Sequence, residues 1–283
     1  MSATGRFTHA IVARIPTEPI FPAGNQPRDF DLSEARREME MFCEKLRECG
    51  LDLVELAPEE TAAVSSLWVD DHAIVINGTA LIAKPRCPGR STEIMSLLAE
   101  YTWQIFETPA TETNGNAVVL EGSDVLFTGK EIFVGIHKHS GTNMEGAITV
   151  AKTFTDFAVV PIQVNGKRPL KYYVSVAAHD RHNPVLSVGS CKEAQAILQR
   201  IEREATFRYA VLKHEDEEAV NCLQANAFLL YRNQWTYATQ QYAKLENRLK
   251  LIEFDGSQMM KLGGQLSQYC LLVGKFKGHK RKW

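Results

Sequence analysis

Along the chain, short apolar runs with strand-like alternation are each followed by a longer stretch in which apolar residues return at every third and fourth position. The first pattern predicts β-strands and the second amphipathic helices. "HAIVINGTALIAKP" (72–85) holds two apolar runs joined by Asn77-Gly78, a pair suited to a tight hairpin because both turn residues must take positive φ. "STEIMSLLAEY" follows as a helix with Ser91 at its cap and Glu93 in its first turn, and "QIFETP" is the return strand. The same order recurs. "DVLFTGKEIFVGI" (124–136) turns at Gly129-Lys130, then come the helix "NMEGAITVAKTF" and the strand "AVVPIQV". "KYYVSVAAHDRHNPVLSVGS" (171–190) leads to the helix "CKEAQAILQRIER" and the strand "RYAVLKH". "VNCLQANAFLLYR" leads to the helix "ATQQYAKLENRLK" and the strand "LIEFD".

The fifth unit is split between the ends. "THAIVARI", a helix from Asp31 to Cys49 and "DLVELAP" open the chain, and the run "LSQYCLLVGKF" (266–276) near its end reads as the missing strand. In the first helix Asp31 and Glu34 form a capping box, Ala35, Met39, Phe42, Cys43 and Leu46 share one face, and Gly50 ends it. Five hairpin–helix–strand units of about 55 residues each predict a radial repeat rather than a doubly wound sheet. A ring of this kind leaves an axial cavity lined by strand ends, a natural small-molecule site. No linker divides residues 1–283, which read as a single domain.

Composition narrows the classes. At 283 residues with 45% hydrophobic and 23% charged residues, the chain has ample core. A net charge of −2 gives no general attraction to nucleic acid or to an anionic membrane. No apolar run approaches the roughly 18 residues of a spanning helix, and alternation with Pro16 makes "MSATGRFTHAIVARIP" a strand rather than a signal segment. Cys43, Cys49, Cys87, Cys191, Cys222 and Cys270 are scattered without CxxC spacing, against a zinc knuckle or a disulfide framework and in favour of a reduced, cytoplasmic setting.

Five segments, "THAIVARIP", "WVDDHAIVINGTALIAKPRCPGR", "LEGSDVLFTGKEIFVGI", "AVNCLQANAFLL" and "LGGQLSQYCLLV", together resemble the dimethylarginine dimethylaminohydrolases of the guanidino-modifying pentein superfamily. The resemblance spans nearly the whole chain. It implies a five-bladed α/β propeller of ββαβ units, with no cofactor and no metal. The reaction it implies is hydrolysis of methylated arginine to citrulline and an amine, which controls an inhibitor of nitric oxide synthase. A cysteine thiolate attacks the guanidinium carbon, giving a thiouronium after amine loss, and a histidine protonates the amine and then activates water. An acid orients that histidine, carboxylates hold the guanidinium, and arginines take the substrate carboxylate.

Transferred residue by residue, the resemblance divides. Asp70 and Asp71 in "WVDD" match the family's F-V-E-D segment, with Trp68 at its aromatic position. Arg90 in "CPGR" falls on a substrate-contacting arginine, and Glu121 in "LEGSD" on the acid that partners the histidine. Ser123 departs slightly from the usual E/D-G-G-D. The histidine's place is held by Pro169, a second carboxylate-binding arginine's by His139, a guanidinium-contacting acid's by Ser65, and in a gapless alignment the nucleophile's by Gln268. Cys270 lies two residues further on, a displacement of roughly 6–7 Å if the stretch is a strand, too far for attack at about 3 Å. Some members, including the second vertebrate isoform, share a Leu-Ser-x-x-Cys tail, which keeps Cys270 a candidate nucleophile beside the reading of a packed core thiol.

Other features have ordinary readings. If they lie on a strand, Asp70 and Asp71 point to opposite faces, so one at most meets the cavity. Glu121 without its histidine reads equally as an acceptor for backbone N–H groups, and Arg90 as a solvated loop residue. His137 and His139 alternate at a strand end but lack a third ligand at defined spacing, so both read as solvent-exposed histidines. The tail "KFKGHKRKW" reads as a solvated end with a minority reading of acidic-partner binding, and the loop 16–29 as a lid or a passive connector. The expectation is a cavity lined by Asp71 and Glu121 with Arg90 at its mouth, and little or no hydrolysis. The alternatives are an active hydrolase using Cys270, or a non-enzymatic scaffold or arginine-derivative sensor with an arginine-like ligand or a protein partner.

Overall fold

The computed structural model describes residues 6–22, 26–87, 89–139, 141–180 and 183–274. The basic tail and the tip of the 16–29 loop lie outside them. Five three-stranded sheets share one plan, a central strand antiparallel to an inner strand and parallel to an outer one reached across a helix.

The sheet built from both ends has β1 (His9–Ala13) at its centre and is followed by α1 (Leu32–Glu48) and β3 (Asp52–Leu56). Before α1, β2 (Glu18–Ile20) pairs in parallel with β4 (Thr61–Ala63), which follows β3. The next sheet contains β5 (Ala73–Ile76), β6 (Thr79–Ile82), α2 (Ser91–Tyr101) and β7 (Gln104–Glu107). It is followed by β8 (Val125–Phe127), β9 (Glu131–His137), α3 (Met144–Thr153) and β10 (Ala158–Val164). After a single helical turn, α4 (Leu170–Tyr173), come β11 (Val174–Ala178), β12 (Val185–Gly189), α5 (Lys192–Glu204) and β13 (Ala210–His214). The last full unit is β14 (Leu223–Ala225), β15 (Phe228–Arg232), α6 (Thr236–Ala243) and β16 (Lys250–Phe254). The short α7 (Ser257–Lys261) leads to β17 (Cys270–Val273), which lies antiparallel on β1 with Cys270 opposite Val12. The architecture is the five-bladed α/β propeller of the pentein fold.

Local chemistry explains much of this. Asn77 and Gly78 take φ of 51° and 82°, the two positive values the hairpin needs. Asp31 caps α1, its Oδ1 accepting from the N–H groups of Ser33 (2.8 Å) and Glu34 (3.1 Å). The predicted capping box is only half formed, because Glu34 pairs with Arg37 and the Asp31 N–H donates instead to Gln258 Oε1 at 3.0 Å. Ser91 is not the cap of α2 but its first helical residue, and its hydroxyl shares a 3.0 Å hydrogen bond with His72 Nδ1. Two runs read as strand are shorter than expected. "KYY" belongs to α4, and residues 266–269 form a 3-10 turn, so β17 begins only at Cys270. Side chains hold that turn, through the Gln265 N–H donating to Gln268 Oε1 and the Asn221–Ser267 hydrogen bonds.

The helices pack outside the sheets. Ala35, Met39, Phe42, Cys43 and Leu46 of α1 join β1, α7 and β17 in the largest core cluster. All five inner strands contribute to one cavity of about 150 Å³, among them Ile74, Leu126, Val176, Leu223 and Leu271. The described parts of the 16–29 loop are docked. Phe21 is buried edge-on against Phe30 with ring centroids 5.1 Å apart, and Asp29 pairs with Lys261 at 2.7 Å. Among the described residues no helix is long and apolar enough to cross a membrane.

Candidate functional site

Each inner strand is preceded by a short turn. Four of these turns are Val69–His72, Gly122–Asp124, α4 and Leu266–Tyr269, and the fifth approach is the Val220–Asn221 step before β14. They are joined by hydrogen bonds at one end of the cavity. The approach is close: a Cβ on Gly122 would stand 1.7 Å from the Asp70 carbonyl oxygen, so only glycine fits where these two turns cross.

Asp70 and Asp71 lie on a 3-10 turn rather than a strand, and the structure reverses the expectation for them. Asp70, not Asp71, faces the cavity, with Lys171, Ser267 and Cys270. Its Oδ2 is 2.6 Å from Lys171 Nζ. Burial raises the Asp70 carboxyl while the Lys171 charge and hydrogen bond oppose that shift. Asp71 is buried between three turns. Its Oδ1 accepts from the Ser123 N–H at 3.1 Å and its Oδ2 from Gln268 Nε2 at 3.0 Å. Burial, aided by the charges of Glu121 and Asp70 and opposed by the Ser123 hydrogen bond, pushes its carboxyl up to about 7.

Asn221 ties two turns together. Its Nδ2 donates to the Lys171 carbonyl (3.1 Å) and to Ser267 Oγ (3.0 Å), and its Oδ1 accepts from the Ser267 N–H (2.8 Å). Asp124, fully buried, accepts from His137 Nε2 and the Leu170 N–H at 2.9 Å each and from the Thr142 N–H at 3.1 Å. Burial lowers the His137 imidazole, but the Asp124 hydrogen bond and charge, with Glu121, leave it raised.

The other predicted residues are placed as follows. Glu121 is half-buried, with Oε1 3.5 Å from the Arg86 N–H, and burial followed by the Asp124 charge raises its carboxyl. It does not line the cavity, although the adjacent Gly122 does. Arg90 is not at the cavity mouth either. Its guanidinium is buried against the Ala57 carbonyl (2.7 Å) and Glu93 (2.7 Å), and is occupied at the start of α2. Trp68 is half-buried against Gly264, where a Cβ would come within 2.5 Å of the indole nitrogen. Ser65 sits in the preceding 3-10 turn and accepts the Trp68 N–H through its carbonyl at 3.1 Å. His139 is exposed. Pro169 caps α4 next to Leu170, whose N–H reaches Asp124.

Gln268 and Cys270 are on different elements, which replaces the same-strand argument for their separation. Gln268 turns to Asp71, whereas Cys270 starts β17 and lines the cavity. Burial pushes the Cys270 thiol well above its ordinary range, Asp70 and the neighbouring Cys43 and Cys49 add to this, and Lys171 opposes it. A thiol in that state is a poor nucleophile, since the thiolate is the attacking form. Lys171, Asp124, Asn221 and Ser267 were not singled out in the sequence, and Ser123 only as a departure from the family's pattern. The signal available was that Asp124, Asn221 and Ser267 sit inside the segments "LEGSD", "AVNCLQANAFLL" and "LGGQLSQYCLLV", while Lys171 follows Pro169 by two residues.

No family model matches the chain. It is 32% identical over 281 residues to the human protein "Putative hydrolase DDAH2", covering 95% of each chain, and equally to its bovine counterpart. It is 23% identical over 237 residues to the N(G),N(G)-dimethylarginine dimethylaminohydrolase of Pseudomonas aeruginosa, covering 84% of this chain and 87% of that one. Among solved structures, a dimethylarginine dimethylaminohydrolase adduct with S-methyl-L-thiocitrulline superposes with a TM-score of 0.74 at 19% identity, covering 94% of this chain and 100% of that one. The Pseudomonas aeruginosa enzyme complexed with citrulline gives 0.73 at 20%, covering 95% and 100%. The structural likenesses show the fold.

Proposed function

The chain belongs to the dimethylarginine dimethylaminohydrolase family, and within that family we propose that it is a member that has lost hydrolysis and acts without turnover, in the cytoplasm, as a scaffold or as a sensor of an arginine-like small molecule. The observation that carries this reading is the state of Cys270. It is the cysteine among the cavity-lining residues nearest the family's nucleophile position, its thiol is held protonated by burial, and the neighbouring cation, Lys171, is paired with Asp70. The family's histidine position adds nothing, since Pro169 cannot exchange a proton. Removing a general acid–base group alone costs typically about 10²–10⁴-fold. The substrate-binding roles of Trp68, Asp70, Asp71 and Arg90, and the orienting role of Glu121, belong to this proposal as inherited positions whose present partners are internal.

One observation favours a second reading. Cys270 and Lys171 line the same cavity, so an active hydrolase would use Cys270 as nucleophile and Lys171 as proton donor. Citrulline release from asymmetric dimethylarginine by the purified protein separates the two. The expected result is no release above background, unchanged in Cys270→Ser, and a measurable gain in the double variant Pro169→His with Gln268→Cys. Wild-type turnover abolished by Cys270→Ser would replace the first reading with the second.

A further inference from the structure

We propose that Gln268 is an internal ligand of Asp71, its carboxamide holding the donor position that a planar cationic N–H group such as an amidinium or guanidinium would need, and so excluding such ligands from the wild-type site. The inference rests on reading the site as non-hydrolytic, adds a failure at the binding step to the one at the chemical step, and favours the scaffold over the sensor within that reading.

The geometry fixes the carboxamide at both ends. Gln268 Oε1 accepts from the Gln265 N–H at 2.7 Å and Gln268 Nε2 donates to Asp71 Oδ2 at 3.0 Å. Flipping the amide would set oxygen against carboxylate and NH₂ against N–H, two repulsive pairs in place of two bonds, so the orientation is unambiguous. A fork-like contact from a guanidinium places one donor on each carboxylate oxygen. On Asp71 those oxygens already hold Gln268 Nε2 and the Ser123 N–H. The adjacent acid offers no substitute, because Asp70 Oδ2 holds Lys171 Nζ.

The side chain is also not free to swing away. Its turn is bonded to Asn221 through both the N–H and the hydroxyl of Ser267, and the following residue, Tyr269, is fully buried with its hydroxyl donating to the Met259 carbonyl at 2.7 Å. These anchors do not involve the Gln268 side chain. Truncating that side chain removes the occupant and the acceptor of the Gln265 N–H, while the Asn221 and Tyr269 anchors still hold the turn, and leaves a buried carboxylate oxygen facing a vacated donor position. Among the described residues no cation pairs with Asp71, so a cation entering there gains an ion-paired hydrogen bond where the neutral amide gave a weaker one.

The test titrates methylguanidinium into the full chain at about pH 8.5, where the Asp71 carboxyl is ionised, and reads binding by calorimetry and by amide chemical shifts of residues 265–271. Wild type should bind weakly and without shifts in that turn. Gln268→Ala should bind at least about tenfold more tightly, the scale of one charge-assisted bond, and adding Asp71→Asn should abolish the gain. Gln268→Asn, one methylene too short to span Gln265 and Asp71, should open the site in the same way and provides the answer if the alanine variant does not fold. The proposal is overturned if wild type binds as tightly as Gln268→Ala in an Asp71-dependent manner, or if neither variant gains binding. Citrulline release by wild type is scored separately. Its appearance would overturn the non-hydrolytic reading and leave the binding comparison intact.

Discussion

Replacing Asp71 by asparagine should change the shape of the pH–stability curve, and by a predictable amount. Burial, with Glu121 and Asp70 nearby, raises the Asp71 carboxyl from 3.8 to about 7. The folded protein therefore keeps a proton that the unfolded chain releases, and the sign follows: wild-type stability falls as pH rises from about 4 to about 7 and is level above that. Roughly three pH units at about 1.4 kcal/mol each give a loss on the order of 4 kcal/mol across the window. Asparagine carries no such penalty, but its amide NH₂ or its oxygen must meet the Gln268 NH₂ and the Ser123 N–H. It can satisfy one of these donors with its oxygen and not both, at a constant cost of about 1–3 kcal/mol. Asp71→Asn should thus be less stable than wild type near pH 4, the difference should shrink and reverse between about pH 4.5 and 6, and the variant should be the more stable protein at about pH 8. Urea unfolding of both proteins at steps across that range measures it. Other titrating groups, including Glu121 and His137, are common to both and cancel in the difference. A difference that stays flat with pH would refute the assignment of a buried, proton-holding carboxyl at position 71.

Three further outcomes are expected. Lys171→Met leaves Asp70 as an unpaired buried carboxylate and should cost roughly 3–5 kcal/mol in urea unfolding, much of it recovered in the double variant with Asp70→Asn. Gly122→Ala drives a Cβ into a backbone carbonyl that cannot move aside. It should cost about 3 kcal/mol or more and broaden amide signals in the 69–72 and 122–124 turns, while Gly115→Ala, where no atom lies within 4 Å, should leave those turns unchanged. In a thiol-labelling time course on the native protein, exposed Cys87 should react first and buried Cys270 should react only on unfolding; fast labelling lost in Cys270→Ser would show an accessible thiol in the cavity.

The sequence by itself determined the repeat. Apolar period, the Asn77-Gly78 and Gly129 turns, the Asp31 cap and the Gly50 stop are local signals, carried by residues within a few positions of one another and written in φ preferences and hydrogen bonds that need no distant partner. The same signals misplaced element ends wherever a distant side chain intervened. The Glu34 half of the α1 box is replaced by Gln258, and the "LSQY" run is bent into a turn by Asn221 although its apolar pattern suits a strand. The site was legible as a set of positions, not as an arrangement. That Asp70 meets Lys171 across 101 residues, that Asp71 meets Gln268 across 197, and that Asp124 rather than Glu121 holds His137 was decided only when the five turns met at one end of the cavity. A buried carboxylate must find donors somewhere, and which ones it finds depends on the order in which the sheets stand around the axis, a property of the assembled ring that no window of sequence contains.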